Sequence, residues 1–248
     1  MNYYIRCEIF FNYVENFEII LNQFFWRYKM KRKNITWIFL FFYISIFLLL
    51  TLFSCSNNPG STTIDQKNIV ILSLNLHTYQ ETNQDAKFNI IVDAIFDLSI
   101  DLVCFQECGQ NKNQIYLTGS STIRIDNMAY IITQKLKSRH GVDYYYAWDW
   151  AHIGFDYYEE GMAVVSKYPI TDSGSTWIST NTSSSNITSR KAVYGKTEIP
   201  GVGIVNLFSV HTHWMLSSTD TEHELQVSRI KNFVYSKEIP HSTIKRII

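Results

Sequence analysis

The sequence predicts an α/β fold, and three observations carry that prediction. Asp101 to Cys108, D-L-V-C-F-Q-E-C, holds a short run of apolar, β-favouring residues (Leu102, Val103, Cys104, Phe105), the composition of a strand buried on both faces. A similar run, Asn68 to Leu76 (N-I-V-I-L-S-L-N-L), precedes it. Between the two, Phe88, Ile91, Val92, Ile95, Phe96 and Leu98 recur at helical spacing from Asp85 onward, so the order is strand, helix, strand.

At 248 residues the chain is long enough for one sizeable core and too short for two once a leader is set aside. Lys plus Arg and Asp plus Glu both total 22, so no global field draws the protein to nucleic acid or acidic lipid. Ile35 to Phe53 is almost wholly apolar and follows Lys29, Lys31, Arg32 and Lys33, the order of an export signal. Leu52-Phe53-Ser54-Cys55 resembles a bacterial lipobox, although Phe53 departs from the small or aliphatic residue usual there. The run, about 19 residues, also suffices for an uncleaved anchor. Either way the domain is expected outside the cytoplasm and held at a membrane, through a lipid on Cys55 or through the apolar segment itself. The expected organisation is a doubtful extension over 1–29, a leader or anchor over 30–55, a tether over 56–67 and the domain over 68–248. The first segment reads as an over-extended reading frame, with an amphipathic cytoplasmic tail as its alternative.

Further along, Asp126 is expected to cap a helix whose Met128, Ile131, Ile132 and Leu136 face inward. Val142 to Trp150 and Met162 to Ser166 read as strands, and Pro169 ends the second. Thr171 to Ser189, rich in Ser, Thr and Asn, reads as a long polar loop or hairpin. Val193 to Ile199 and Gly203 to His211 form a hairpin around Pro200-Gly201. Glu222 to Val234 follows as an amphipathic helix with Leu225, Ile230 and Phe233 inside. Cys104 and Cys108 are too far apart along an extended segment to pair, with Cα atoms separated by more than about 7 Å.

Three strand ends carry polar groups: Asn75, Glu107 and His211. An amide oxygen, a carboxylate and an imidazole at one sheet rim can bind Mg²⁺ and a phosphate and move a proton. A carboxylate delivered to a sheet rim by a buried strand needs a cation or hydrogen bonds to offset its desolvation.

The order and surroundings of these residues resemble the endonuclease/exonuclease/phosphatase superfamily, which includes deoxyribonuclease-like and sphingomyelinase-like phosphoesterases. The resemblance runs from about Ile69 to Phe233. It rests on L-S-L-N-L-H-T-Y-Q-E at Leu72 to Glu81, D-L-V-C-F-Q-E at Asp101 to Glu107 and Y-E-E-G-M-A-V-V-S-K-Y-P-I at Tyr158 to Ile170. It continues through S-R-K-A at Ser189 to Ala192 and V-N-L-F-S-V-H-T at Val205 to Thr212. It implies a four-layered α/β sandwich of two packed, mainly antiparallel sheets flanked by helices, and phosphoester hydrolysis with Mg²⁺ or Mn²⁺. Asn75 and Glu107 match the family's metal-site residues. Glu160 falls where members place a carboxylate that orients the catalytic histidine, with Glu159 an equal neighbour in sequence. Arg190 matches a phosphate-approaching Arg, His211 a substrate-contacting His, and His213 is the alternative if the register is shifted.

The carboxyl-terminal stretch departs from the family. The strand bearing G-D-x-N and the closing S-D-H motif are absent, and Lys237 to Ile248 carries neither. The expectation is therefore a sandwich incomplete at its C-terminus, with an unpaired strand edge and impaired turnover. The leading functional reading is an exported, monomeric, metal-dependent phosphoesterase. The tyrosine-rich segment Asp149 to Gly161 favours a sugar phosphate over nucleic acid as substrate, since nucleases add basic residues along the groove. The alternative is a surface lipoprotein that binds without turnover.

Overall fold

A computed structural model describes residues 68–213 and 219–237 in full, together with the backbone of two short strands, Arg6–Ile9 and Lys245–Ile247. The leader, the lipobox and Cys55, and the tether lie outside the described residues. Two sheets form the frame. One contains β1 (Arg6–Ile9), β2 (Val70–Asn75), β3 (Leu102–Asn111), β4 (Tyr145–Gly154) and β5 (Tyr158–Ser166), ordered β1-β2-β3-β5-β4. The other contains β6 (Ile170–Trp177), β7 (Lys191–Ile199), β8 (Gly203–Val210) and β9 (Lys245–Ile247) in sequential order. β2 runs parallel to β3, as a strand, helix, strand unit requires, while β3–β5, β4–β5, β6–β7 and β7–β8 are antiparallel.

Alternation along the strands sorts the core into three layers of side chains. Ile71, Leu102, Cys104, Met162 and Val164 of the first sheet meet Val193, Val205 and Leu207 of the second. On the opposite face of the first sheet, Leu72, Val103, Phe105 and Val165 pack on two helices, α1 (Gln84–Asp97) and α2 (Met128–His140), through Phe88, Val92, Ile95, Ile132 and Leu136. Beyond the second sheet, Tyr194 and Phe208 pack on α3 (Glu222–Ser236) through Ile230 and Val234. The result is helix, sheet, sheet, helix, the four-layered sandwich expected.

Several local expectations change. The N-cap of α2 is Asn127, whose side chain accepts from the Tyr130 amide; Asp126 instead accepts from the amide of Asn111 and tethers a loop. Ile170–Trp177 is a strand at the edge of its sheet, which is why its polar composition reads as part of a loop or hairpin. Leu225 is exposed on α3, where Gln226 takes the inward position because its amide oxygen accepts from the His213 backbone. Phe96 and Leu98 likewise face outward. The edge of β8 expected to be bare is occupied over Val205 to Leu207, which pair in parallel with β9. Cys104 and Cys108 are both buried and form no disulfide with each other.

Candidate active site

β3 does not end at Glu107 but passes through it. Phe105 pairs with Ala163 and Cys108 with Gly161, so Gln106 and Glu107 together face the single residue Met162, a β-bulge. Phe105 and Cys108 both pack on the helix side, which frees the residues between them from normal alternation. Glu107 adopts φ 45, an unusual conformation for a residue with a side chain, and its carboxylate enters the rim where the two sheets open. The carbonyl of Phe105 is taken up by the Ser209 hydroxyl of the facing sheet at 2.8 Å.

Around Glu107 lies an open cleft of about 170 Å³, lined also by His152, Glu160, Arg190 and His211. Glu107 is only 18% exposed, yet among the described residues its carboxylate accepts no hydrogen bond, and His211 Nδ1 stands 3.8 Å from its Oε1. His211 sits just past the end of β8. Burial, and then the charge of Arg190, hold its imidazole below the usual histidine range, against the opposing pull of Glu107 and Glu160. His213 is buried elsewhere, its amide donating to Gln226 and its Nε2 3.8 Å from Asp220.

Glu159 and Glu160 are separated by strand alternation. Glu159 turns away from the cleft and receives Arg124 on both oxygens at 3.0 Å, with Gln110 adding a bond at 2.6 Å. Glu160 turns into the cleft. Its partner is His152, which stands opposite it on β4, with Nε2 to Oε1 at 3.2 Å. The other ring nitrogen of His152 lies 3.1 Å from the Ser189 carbonyl. Burial alone would raise the Glu160 carboxyl, but the hydrogen bond and charge of His152, the Thr78 hydroxyl and Arg190 outweigh it and hold the group below the ordinary range. Two glycines make room: a Cβ on Gly154 would lie 2.7 Å from Glu160 Oε2, and one on Gly161 would lie 2.1 Å from the Asp149 carbonyl.

Thr78 joins the two carboxylate-bearing strands. It is fully buried, and its hydroxyl lies 2.8 Å from both the Glu107 carbonyl and Glu160 Oε2. It belongs to a left-handed turn, His77, Thr78 and Tyr79 at φ 54, 33 and 60, a costly conformation for a β-branched residue. Arg190 is 4% exposed and reaches the Ile187 and Ser189 carbonyls, which fix its guanidinium at the cleft. Burial lowers its pKa, while Glu160 and Glu107 favour its charge.

Of the five residues singled out from sequence, Glu107, Glu160, Arg190 and His211 line one cleft. Asn75 is not among the residues lining the cleft: it pairs in register with Gln106, the residue before Glu107, and its Oδ1 accepts from the His77 amide at 2.8 Å. His152 and Thr78 were not anticipated as site residues. The available signal was a histidine within W-A-H-I-G, flanked by apolar residues and opposite an acidic pair.

Among the described residues no three His, Cys, Asp or Glu side chains cluster as a metal cage. A hard divalent cation nevertheless fits one group there: the Glu107 carboxylate, largely buried and without a hydrogen bond among the described residues, faces an open cleft.

No protein-family model and no curated protein matches the chain. Among solved structures, an endonuclease/exonuclease/phosphatase family protein from Leptotrichia buccalis C-1013-b superposes with a TM-score of 0.61 at 27% identity, covering 66% of this chain and 61% of that one. Weaker similarity extends to a mannosyl-6-phosphatase of Bacteroides thetaiotaomicron VPI-5482 (TM-score 0.46, 16% identity, 69% and 62% covered). It extends also to TDP2 of D. rerio complexed with single strand DNA product (TM-score 0.46, 13% identity, 68% and 56% covered). The chain thus spans about three fifths of the length of the Leptotrichia protein. With the sandwich, the bulged Glu107 and the ordered motifs already described, the match to that protein places the chain in the endonuclease/exonuclease/phosphatase superfamily.

Proposed function

We propose that the protein is a metal-dependent phosphoesterase, hydrolysing a phosphomonoester or phosphodiester, held at the outer face of a membrane by its amino-terminal segment. The supporting observation is the left-handed, bulged Glu107, whose carboxylate is directed at a cleft shared with Arg190 and His211 and has no hydrogen-bond donor among the described residues. Strain combined with desolvation at one carboxylate is what a cation-binding residue requires and a structural one avoids. Glu107 would hold Mg²⁺ or Mn²⁺, with Asn75 supplying an amide oxygen. When bound, such an ion neutralises phosphate charge and lowers the pKa of water.

The chain's own groups divide the remaining work. Arg190, fixed by two backbone carbonyls, offers a positioned positive charge to a phosphate oxygen. His211, held toward its neutral form, can accept a hydrogen bond from water or donate one to phosphate at neutral pH. Glu160 and His152 fix each other and hold the wall of the cleft, so that Arg190 and His211 do not have to reorganise during reaction.

The test is hydrolysis of p-nitrophenyl phosphate and bis-p-nitrophenyl phosphate by the full chain with Mg²⁺ or Mn²⁺. Turnover that chelation removes and that Glu107→Ala lowers by at least about 10²-fold supports the proposal. Phosphate binding without any turnover would instead support a non-catalytic binding protein.

A further inference from the structure

Next to the cleft, two aromatic side chains are held in left-handed backbone positions. Gly154 to Tyr157 forms the turn between β4 and β5, closed by Tyr157 N to Gly154 O at 3.2 Å, with Phe155 at φ 51 and Asp156 at φ 64. Two positive φ values mark a type I′ turn, which favours Asn-Gly and disfavours a bulky aromatic at its first central position. Phe155 is nevertheless 50% exposed, so core packing does not account for it. Across from it stands His77, also at positive φ, with a 45% exposed side chain and ring centroids 6.3 Å apart at 79°.

The pair is tied to the cleft through its neighbours. Gly154, before Phe155, lies against Glu160 Oε2, and Thr78, after His77, donates to that same oxygen. The two backbone turns that carry the rings therefore border the carboxylate that forms one wall of the cleft. Acidic groups stand beside them: Glu81 meets His77 Nδ1 at 3.0 Å, and Asp156 is the next residue in the turn. Aromatic faces with carboxylate acceptors suit a ring carrying C–H faces and hydroxyls, and they repel a polyanionic strand.

We propose that His77 and Phe155 form a sugar-ring subsite, making the substrate a phosphate ester of a cyclic sugar and Phe155 a specificity-determining residue. This rests on the phosphoesterase reading. The phosphate occupies the cleft at Arg190 and His211, and the ring lies against Phe155 with its hydroxyls toward Glu81 and Asp156.

The experiment titrates the full chain, with Mg²⁺, against three probes: inorganic phosphate, a hydrolysis-resistant phosphonate analogue of a hexopyranose 6-phosphate, and the matching open-chain hexitol analogue. The wild type should bind the pyranose about fivefold more tightly than the hexitol, a preference of the size one aromatic contact supplies. Phe155→Asn, which suits the left-handed turn, should remove that preference, leave phosphate affinity unchanged, and keep or raise Tm. Equal affinity for the two sugar analogues overturns the subsite while leaving the phosphate site standing. Uniform loss of all three ligands with a lower Tm in Phe155→Asn makes Phe155 structural and overturns it also. A dinucleotide binding more tightly than the pyranose rejects the sugar assignment, and failure of the wild type to bind any probe removes the subsite together with the phosphoesterase reading.

Discussion

Thr78→Val isolates a single hydroxyl at the junction of the site. Valine matches threonine in shape and branching, so the left-handed turn and the packing against Gly109 are kept while the donor is lost. The hydroxyl has one proton and faces two acceptors at 2.8 Å, the Glu160 carboxylate and the Glu107 carbonyl. A hydrogen bond to a charged group contributes about 1.5–3 kcal/mol, and a buried acceptor left without a donor adds to the cost, so a loss of about 2–3 kcal/mol is expected at pH 7. For a domain of this size that corresponds to a fall in Tm of roughly 4–12 °C.

The loss should depend on pH, with a sign fixed by Glu160. Its carboxyl is held below its ordinary value of 4.5, so the stability it contributes is fully present above that value and is lost as pH falls through the lower folded value. Removing the Thr78 bond narrows the gap between folded and unfolded values. The deficit of the variant is therefore largest above 4.5 and shrinks below it. Urea denaturation of both proteins across that range measures this directly. A difference below about 0.5 kcal/mol, constant with pH, would refute the bridging role of Thr78.

Other substitutions probe the same arrangement. Glu107→Gln should abolish metal-stimulated hydrolysis yet leave Tm unchanged or raised, because the carboxylate it replaces is desolvated without a hydrogen bond; parallel activity and thermal-melt measurements check this. Glu159→Ala should cost about 3–5 kcal/mol in denaturant unfolding, since it strands the buried Arg124 guanidinium. Gly161→Ala should prevent accumulation of folded protein, because the new Cβ would lie 2.1 Å from a backbone carbonyl; solubility and circular dichroism report the outcome. His152→Gln should lower turnover more than stability, because the amide can keep one of the two bonds to Glu160 and Ser189 but not both; the ratio of kcat loss to Tm loss tests it.

The layers were legible in the sequence because they depend on periodicity, and periodicity survives burial. Phe88, Val92 and Ile95 marked the inner face of α1, and the apolar runs at Asn68 and Asp101 marked adjacent parallel strands. Within the stretch read as a polar loop or hairpin, the strand Ile170–Trp177 was not delimited, because an edge strand need not be apolar. The site was only partly legible. Glu107, Arg190 and His211 stand in segments whose type and order single them out, the pair Glu159 and Glu160 stands in another without its members being told apart, and Glu107, Glu160, Arg190 and His211 reach the cleft. Their pairing could not be read, because it depends on two bulges, at Phe105/Cys108 and Trp150/His152, that shift which side chain faces which. The second of these sets His152 opposite Glu160, and no periodic pattern encodes an inserted residue.

The opposite orientation of Glu159 and Glu160 has a consequence for folding fidelity. Sliding β5 by one position so that Glu159 takes the place of Glu160 would turn Glu159 into the cleft and bring Tyr158, which cannot neutralise a guanidinium, to the place facing Arg124. The same slip would move Gly161 away from the one spot beside Asp149 where only a hydrogen atom fits. Misaligned chains are thus penalised twice before they could present a wrongly assembled cleft, so the latch on the far side of the sheet acts as a proofreader for the arrangement on the near side.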